Sequence, residues 1–226
     1  ENRPIRWMQG NKVITMDYDY KGRRIFYKEM DGETQVKFVR FVYKDFLCLE
    51  EVLEDENYTT YKSFVWDPTE QVATCPLKIK LPTKGLNLFY FHDGNKNVSD
   101  LAYWATQNGI GAHYDYAPFG VVTRMASNSR LSHDIAHLNP FRFSSEYHDD
   151  TLGLVYYNYR HYNPDDARWL SRDPIEEQGG YNLYSFLNNN IMGVDVLGFV
   201  GSYIFLECVI SKDWRFDGFS SFKKVK

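Results

Sequence analysis

The chain has 226 residues, 17% of them aromatic, and its 30 acidic and 26 basic side chains leave a formal net charge of −4. With no basic run longer than the terminal Lys223-Lys224-Val225-Lys226, the charge pattern argues against a nucleic-acid face, which needs Lys and Arg clustered against phosphates. Helical enzymes lean on Leu and Ala, so a surplus of flat rings points to pleated β-surfaces, on which rings pack well.

This length suits one or two domains and buries a sizeable core. Cys48, Cys75 and Cys208 are odd in number and far apart, fitting neither a CxxC metal pair nor a disulfide framework, and read as small buried apolar residues. No apolar run approaches the length that crosses a bilayer, and no signal-peptide pattern is present. The first residue is Glu rather than Met, which reads as a piece cut from a longer polypeptide or as a mature product.

From the N-terminus, stretches of strand-like alternation recur: 13–18 (Val-Ile-Thr-Met-Asp-Tyr), 38–43 (Phe-Val-Arg-Phe-Val-Tyr) and 86–91 (Leu-Asn-Leu-Phe-Tyr-Phe). Turn residues follow them, as in Tyr20-Lys21-Gly22-Arg23, Asp31-Gly32, Asp67-Pro68 and Asp93-Gly94-Asn95. An aromatic residue stands beside or near an Asp at Tyr18-Asp19, Tyr43/Asp45, Trp66-Asp67, His92-Asp93 and Tyr114-Asp115. The Asp spacings are 26, 22, 26 and 22, a period that means stacked strand–turn–strand units, none able to bury its apolar face alone. The aspartates need no catalytic role, because a short carboxylate caps backbone N–H groups in tight turns.

Helical signals are sparse. Asn97 to Asn108 reads as a short helix with Asn97 or Ser99 as N-cap, 124–138 as a polar loop, and a second short helix starts at Asp173 and runs, with a Gly179-Gly180 break, through Tyr181 to Asn188.

Residues 140–198 hold the densest run of landmarks: Pro-Phe-Arg-Phe-Ser-Ser-Glu-Tyr at 140–147, Leu-Gly-Leu-Val-Tyr-Tyr-Asn-Tyr-Arg-His-Tyr-Asn-Pro at 152–164, Arg168-Trp169-Leu170-Ser171-Arg172-Asp173-Pro174, Gly-Gly-Tyr-Asn-Leu-Tyr-Ser-Phe at 179–186, and Asp195-Val196-Leu197-Gly198. This run resembles the conserved core that closes the RHS (YD-repeat) region of bacterial polymorphic toxins and related surface proteins. Upstream, 17–24 (Asp-Tyr-Asp-Tyr-Lys-Gly-Arg-Arg) is similar to one YD repeat, while Asp45 lacks the Gly-Arg and Trp66 replaces Tyr. The resemblance covers roughly 13 to 198 and is patchy from 25 to 85.

It implies a mainly β fold: a curved antiparallel sheet forming part of a β-shell, with one or two short helices near a C-terminal plug. The implied organisation is drifted repeats over 1–139, the core or plug over 140–198 and a short variable tail over 199–226. The partners implied are upstream RHS repeats, which would pair with exposed edge strands, and a C-terminal cargo of the parent protein. The implied setting is a bacterial protein, exported or displayed at the cell surface as part of a larger chain. Only 28 residues follow Gly198, too few for an independent enzyme domain without disulfides or a metal.

In self-cleaving members of this family an aspartyl-protease-like site releases the cargo, and two Asp-Pro-x-Gly motifs bracket it. The matching positions are Asp173-Pro174-Ile175-Glu176 and Asp195-Val196-Leu197-Gly198-Phe199, whose aspartates stand 22 apart. The resemblance assigns Asp173 and Asp195 as the paired carboxylates, Arg172 as a cation holding one of them ionised or polarising the scissile carbonyl, and the bond between Phe199 and Val200 as the cut. Glu176 replaces the first motif's Gly, Val196 the second motif's Pro, and Phe199 the usual Leu. The same residues also read structurally. Asp173, Pro174 and Glu176 look like an N-cap, a proline at N1 and a capping-box acid, and Asp195 to Gly198 looks like a turn.

Other chemistry is thinner. His133 and His137 are spaced for one metal on a helix face, but the intervening Glu of an HExxH site and a third ligand are missing, so no metal and no cofactor is expected. The tyrosines of 156–162 read as one strand, with Tyr157 and Tyr159 on one face and Tyr156 and Tyr162 on the other. That surface suits core packing or, alternatively, stacking on a glycan or cell-surface partner. No phosphate loop, nucleophile elbow or dinucleotide fingerprint appears. The functional expectation is a shell and cargo-processing segment of a polymorphic-toxin-like protein, with one-time autoproteolysis after Phe199. The alternatives are a non-catalytic surface-binding YD-repeat module and a degenerate fragment.

Overall fold

The structure is a computed structural model describing residues 3–69, 75–103, 109–128, 134–179, 181–187, 193–195, 197–198, 201–203, 214–216 and 222–224. Eleven strands form one open antiparallel sheet in simple chain order: β1 (Arg6–Gln9), β2 (Lys12–Tyr18), β3 (Arg24–Asp31), β4 (Thr34–Lys44), β5 (Leu47–Leu53), β6 (Thr60–Trp66), β7 (Pro76–Leu81), β8 (Leu86–His92), β9 (Val98–Ala102), β10 (Ile110–Tyr116) and β11 (Val122–Ser127). Alternation decides which face is covered. Ile14, Met16, Val39, Phe41, Ile79, Leu81, Leu88, Tyr90, Ala112 and Tyr114 are buried on one side, while Val42, Val65 and Phe91 lie exposed on the other.

The five aromatic–Asp landmarks mark one edge of this sheet, where β2–β3, β4–β5, β6–β7, β8–β9 and β10–β11 are joined. At each of these hairpins the register slips at the aromatic itself: at Tyr18, Tyr43, Trp66, His92 and Tyr116. In the last hairpin the equivalent position is Tyr116, not the Tyr114 that the spacing suggests, because Tyr114 and Asp115 are still in regular ladder with Met125 and Arg124. In every case the extra residue lies on the following strand, opposite the aromatic: Ile25, Leu49, Leu77, Ser99 and Thr123. Such a bulge bends the ladder locally, and Tyr18, Trp66 and Tyr116 face the segment that follows the sheet.

The expected capping role of Asp is visible at three of the five turns. Asp19 Oδ1 accepts from the N–H of Lys21 and Arg23 at 2.9 Å, and Asp93 Oδ1 accepts from Asn95 and Asn97 at 2.8 and 2.9 Å. Asp67 accepts from Thr69 N–H at 2.8 Å. Asp45 instead adopts a left-handed conformation itself (φ 51°), and Asp115 sits in strand β10 beside His113. The residue three after the capping Asp is left-handed, Gly22 at φ 81° and Lys96 at φ 63°, which is why a Tyr-Asp-x-x-Gly pattern suits this turn.

Two expectations for this region fail. The segment from Asn97 is strand β9, not a helix, and residues 104–108 of that call lie outside the described residues. The bulge at His92 displaces the alternation so that Val98 and Leu101 are both buried, an i, i+3 spacing that mimics a helix face. Within 124–138, strand β11 runs to Ser127 and α1 (Ile135–Leu138) forms a single turn capped by Asp134, where a loop was expected.

Residues 135–162 then cross the covered face of the sheet. A small sheet of β12 (Tyr147–Asp149), β13 (Leu154–Tyr157), β14 (Arg160–Asn163) and β15 (Arg168–Trp169) follows α1. Its far side packs Phe143, Val155, Tyr157, Tyr162, Trp169 and Phe186 into a second core. The bulge aromatics receive this layer: Tyr18 meets Tyr156, Trp66 meets Phe141 edge-on at 4.9 Å, and Tyr116 meets Phe143. Buried polar groups are matched across the joint. Asn139 Oδ1 accepts from Tyr90 Oη at 2.7 Å, and Tyr114 Oη donates to the Ala136 carbonyl at 2.8 Å. Arg24, 1% exposed, reaches Asp149 at 3.2 Å under a roof of four rings, Tyr27, Phe41, Tyr147 and Tyr156. Its N–H donates to Tyr156 Oη, which donates to the Gly22 carbonyl. A charge this deep is tolerated only when paired.

The tyrosine run is a hairpin rather than one strand. Tyr157 pairs with Arg160 and Val155 with Tyr162, around a turn with Asn158 at φ 56°. Reversal at that turn puts Tyr157 and Tyr162 in one core and Tyr156 in the other, so Tyr156 and Tyr162 do not share a face. The helix expected from Asp173 is a single 3-10 turn, Glu176–Gly179, and Asn188 lies outside the described residues.

Candidate functional site

The hairpin β13–β14 presents Arg160 at the start of β14, 3% exposed and 4.0 Å above the Trp169 ring. Its Nη2 lies 2.9 Å from Asp173 Oδ2 and 3.4 Å from Asp195 Oδ2, so one guanidinium nitrogen serves both carboxylates. Its Nε donates to the Gly198 carbonyl at 2.5 Å. Nη1 is buried with no acceptor among the described residues. Loss of hydration pulls the Arg160 guanidinium below its ordinary value, against the opposing pull of Asp173 and Asp195.

Each carboxylate also organises its own turn. Asp173 Oδ1 accepts from Ile175 N–H at 3.0 Å, and its carbonyl accepts from Glu176 N–H at 3.1 Å. Asp195, at the end of β16 (Gly193–Asp195), accepts on Oδ1 from Gly198 N–H at 2.7 Å and Leu197 N–H at 3.3 Å. These are the turns already met at Asp19 and Asp93, with a left-handed residue three positions on: Glu176 at φ 54° and Gly198 at φ 79°. Glu176 is not a capping-box acid: it is left-handed, and its N–H goes to the Asp173 carbonyl rather than to the Asp173 side chain. Gly198 is doubly required. Its φ suits glycine, and a Cβ would lie 3.1 Å from the Tyr157 carbonyl oxygen and 3.3 Å from Arg160 N.

Of the residues singled out from sequence, Asp173 and Asp195 thus meet on one cation. Arg172 is exposed and points elsewhere, its Nε 3.4 Å from Tyr184 Oη. Phe199 and Val200 lie outside the described residues, as does His133. His137 contacts Asp134 and Asp150, and no group of three metal-type ligands occurs among the described residues. Arg160 was missed because it sits in an aromatic run that reads as packing. The available signal was physical: a lone Arg inside a buried strand demands carboxylates.

A third carboxyl feels the charge of Asp195. Glu146 is half-buried and lines a cleft partly open to solvent, with Tyr43, Phe46, Cys48, Trp66 and Phe141. Burial, reinforced by the negative charge of Asp195, holds its carboxyl well above the usual carboxylate range.

No protein-family model matches the chain. Over 206 residues, 82% of the chain, it is 29% identical to the double-stranded DNA deaminase toxin A of Burkholderia cenocepacia (strain H111). Over 62 residues, 27% of the chain, it is 40% identical to the toxin protein Tse5 of Pseudomonas aeruginosa. Among solved structures, TcdB2-TccC3-TEV matches with a TM-score of 0.64 at 20% identity over 84% of the chain. The chain spans 14%, 5% and 9% of the lengths of these proteins, so it corresponds to a small part of each. The toxin relatives and the shared fold support an RHS-repeat-related protein, and the mainly β, open antiparallel sheet matches the fold of TcdB2-TccC3.

Proposed function

We propose that this RHS-repeat-related chain is the closing piece of a toxin-type β-shell, and that its plug cuts the polypeptide once, between Phe199 and Val200. In this reading residues 1–139 are shell repeats, 140–198 the plug and 199–226 a short tail, of which 200–226 is released. Among the described strands β1 and β11 each pair on one side only, and further repeats of the parent protein would continue at the β1 edge. The cargo is the other partner, and its chemistry lies outside these residues.

The observation that carries the processing half is Arg160. Its Nε grips the Gly198 carbonyl, one residue before the proposed cut, while Nη2 holds Asp173 and Asp195. A clamp there fixes the backbone that must be attacked, and Nη1 is a spare donor for the charge that develops on the next carbonyl oxygen. The carboxylates supply the base that activates water.

The test is intact mass under denaturing conditions, because a released tail can stay docked. The wild-type chain should lose residues 200–226, and Asp195→Asn and Arg160→Met should retain them. An uncut wild-type chain would leave both aspartates as turn formers and reduce the function to the shell alone.

A further inference from the structure

Twice in this protein a buried carboxylate is neutralised by an arginine lying against aromatic rings. Arg24 meets Asp149 beside Tyr27, Phe41, Tyr147 and Tyr156, and Arg160 meets Asp173 and Asp195 above Trp169. The cleft at the β4–β5 hairpin has the rings and the carboxyl of a third such arrangement, and it lacks the cation.

The rings form a box. Trp66 stands 4.9 Å from Phe141 at 82°, and Phe141 stands 5.7 Å from Tyr147 at 85°, so each neighbouring pair of walls is nearly perpendicular. Tyr43 and Phe46 line it from the hairpin. Among the described residues the only ring stacked near Tyr43 is Phe41 of its own strand, whereas Tyr18, Trp66 and Tyr116 are each met by a ring of the plug. Open space takes the place of a plug ring at this one bulge.

Two polar groups line the box without a partner among the described residues. The Glu146 carboxyl has no hydrogen bond and no cation within ion-pair distance. Asn158 is only 8% exposed, yet its side-chain amide makes no hydrogen bond. A polar group that deep is unfavourable until something pairs with it. The arginines flanking these rings are committed elsewhere: Arg23, 5.3 Å from the Tyr43 ring, donates to Asp19 at 2.7 Å, and Arg24 holds Asp149. No Lys, Arg or His among the described residues lines the cleft.

We propose that this cleft binds the guanidinium group of an arginine side chain presented by a partner polypeptide. A guanidinium is planar, stays charged and carries five donors in a fixed fork, so it answers the rings, the carboxyl and the Asn158 amide oxygen together. A phosphate or carboxylate ligand would find no cation here, and an aliphatic side chain would leave both polar groups unpaired. The titratable groups around Glu146, which are Tyr43, Cys48, Tyr147, Tyr156 and Tyr157 with Asp195, are uncharged or negative. Burial holds the empty carboxyl above its usual range, and a guanidinium beside it favours the ionised form. The site stands whether or not the chain cuts itself.

The experiment titrates the full 226-residue chain with the peptide acetyl-Gly-Arg-Gly-amide and follows the Trp66 indole N–H by nuclear magnetic resonance. That N–H donates to the Cys48 carbonyl at 2.7 Å, between two residues of the cleft, and Trp66→Phe assigns its signal. The expected result is a saturable shift. The same peptide with citrulline, equal in shape but uncharged, should bind about tenfold or more weakly. Glu146→Gln should weaken the arginine peptide by a similar factor, while the exposed Glu33→Gln leaves it unchanged. Absence of a saturable shift, or equal binding of the two peptides, overturns the proposal. Methylguanidinium binding as tightly as the peptide would make this a small-cation site and overturn the partner polypeptide. If Glu146→Gln does not fold, Phe46→Ala on the hairpin turn decides, and an unchanged affinity there overturns the aromatic box.

Discussion

Replacing Asp149 by Asn isolates the joint between the first repeat and the plug. The substitution keeps side-chain volume and keeps an oxygen for the Leu152 N–H that Asp149 Oδ1 receives at 3.3 Å, but removes the countercharge 3.2 Å from Arg24. Arg24 and Asp149 side chains are 1% and 6% exposed, so water cannot substitute for the lost carboxylate. Removing one partner of such a pair costs about 3–5 kcal/mol. The four ring contacts at 4.7–5.4 Å remain, and they still favour a cation, which places the expected loss near the lower end, about 3 kcal/mol. That is roughly a hundredfold change in the folding equilibrium. Urea unfolding followed by intrinsic fluorescence gives the number, with exposed Asp45→Asn as a control expected within about 0.5 kcal/mol of wild type. The double variant Arg24→Met/Asp149→Leu should recover most of the loss, because apolar groups of similar size need no countercharge. If Asp149→Asn unfolds within about 0.5 kcal/mol of wild type, the pair is not what locks the plug to the repeat.

Two further outcomes test separate parts of the structure. Glu176→Gly should raise stability by about 0.5–1 kcal/mol, since relief of a left-handed side chain outweighs the extra freedom of glycine in the unfolded chain; a lower urea midpoint would mean that the Glu176 side chain makes a compensating contact. Stability should also fall on acidification. Burial, with Arg142 adding to it, lowers His148 to about 4, and burial with Arg24 lowers His161 to about 3. With folded values depressed, the neutral histidines contribute fully above their unfolded value of about 6.5, and that contribution is lost as pH falls toward about 4. Melting temperature against pH reads this, and His161→Phe should flatten the curve over that window.

Much of the sheet was legible in the sequence because period-two alternation and Asp-bearing turns are local signals. Asp19 and Asp93 cap the turns their spacing marks, and the left-handed third position explains Gly22 after Asp19. What was not legible arose from displacement and distance. The bulge at His92 gives β9 a helix-like spacing of Val98 and Leu101, and the turn at Asn158 divides a tyrosine run that reads as one strand. Asp173 and Asp195 were marked by their motifs, yet the cation on which they meet lies 13 and 35 residues upstream of them, at Arg160, where no local pattern sets it apart.

The row of bulge aromatics sets a rule of parity on how such a sheet can change. All five lie on one edge because every repeat is a whole hairpin, and the plug reads that edge at Tyr18, Trp66 and Tyr116. Gain or loss of a complete hairpin returns the chain to the same edge, and the remaining sockets still face the plug. Gain or loss of a single strand sends every later bulge to the opposite edge and leaves the plug facing plain turns. Length in this architecture is therefore counted in pairs of strands, and the closure enforces the count.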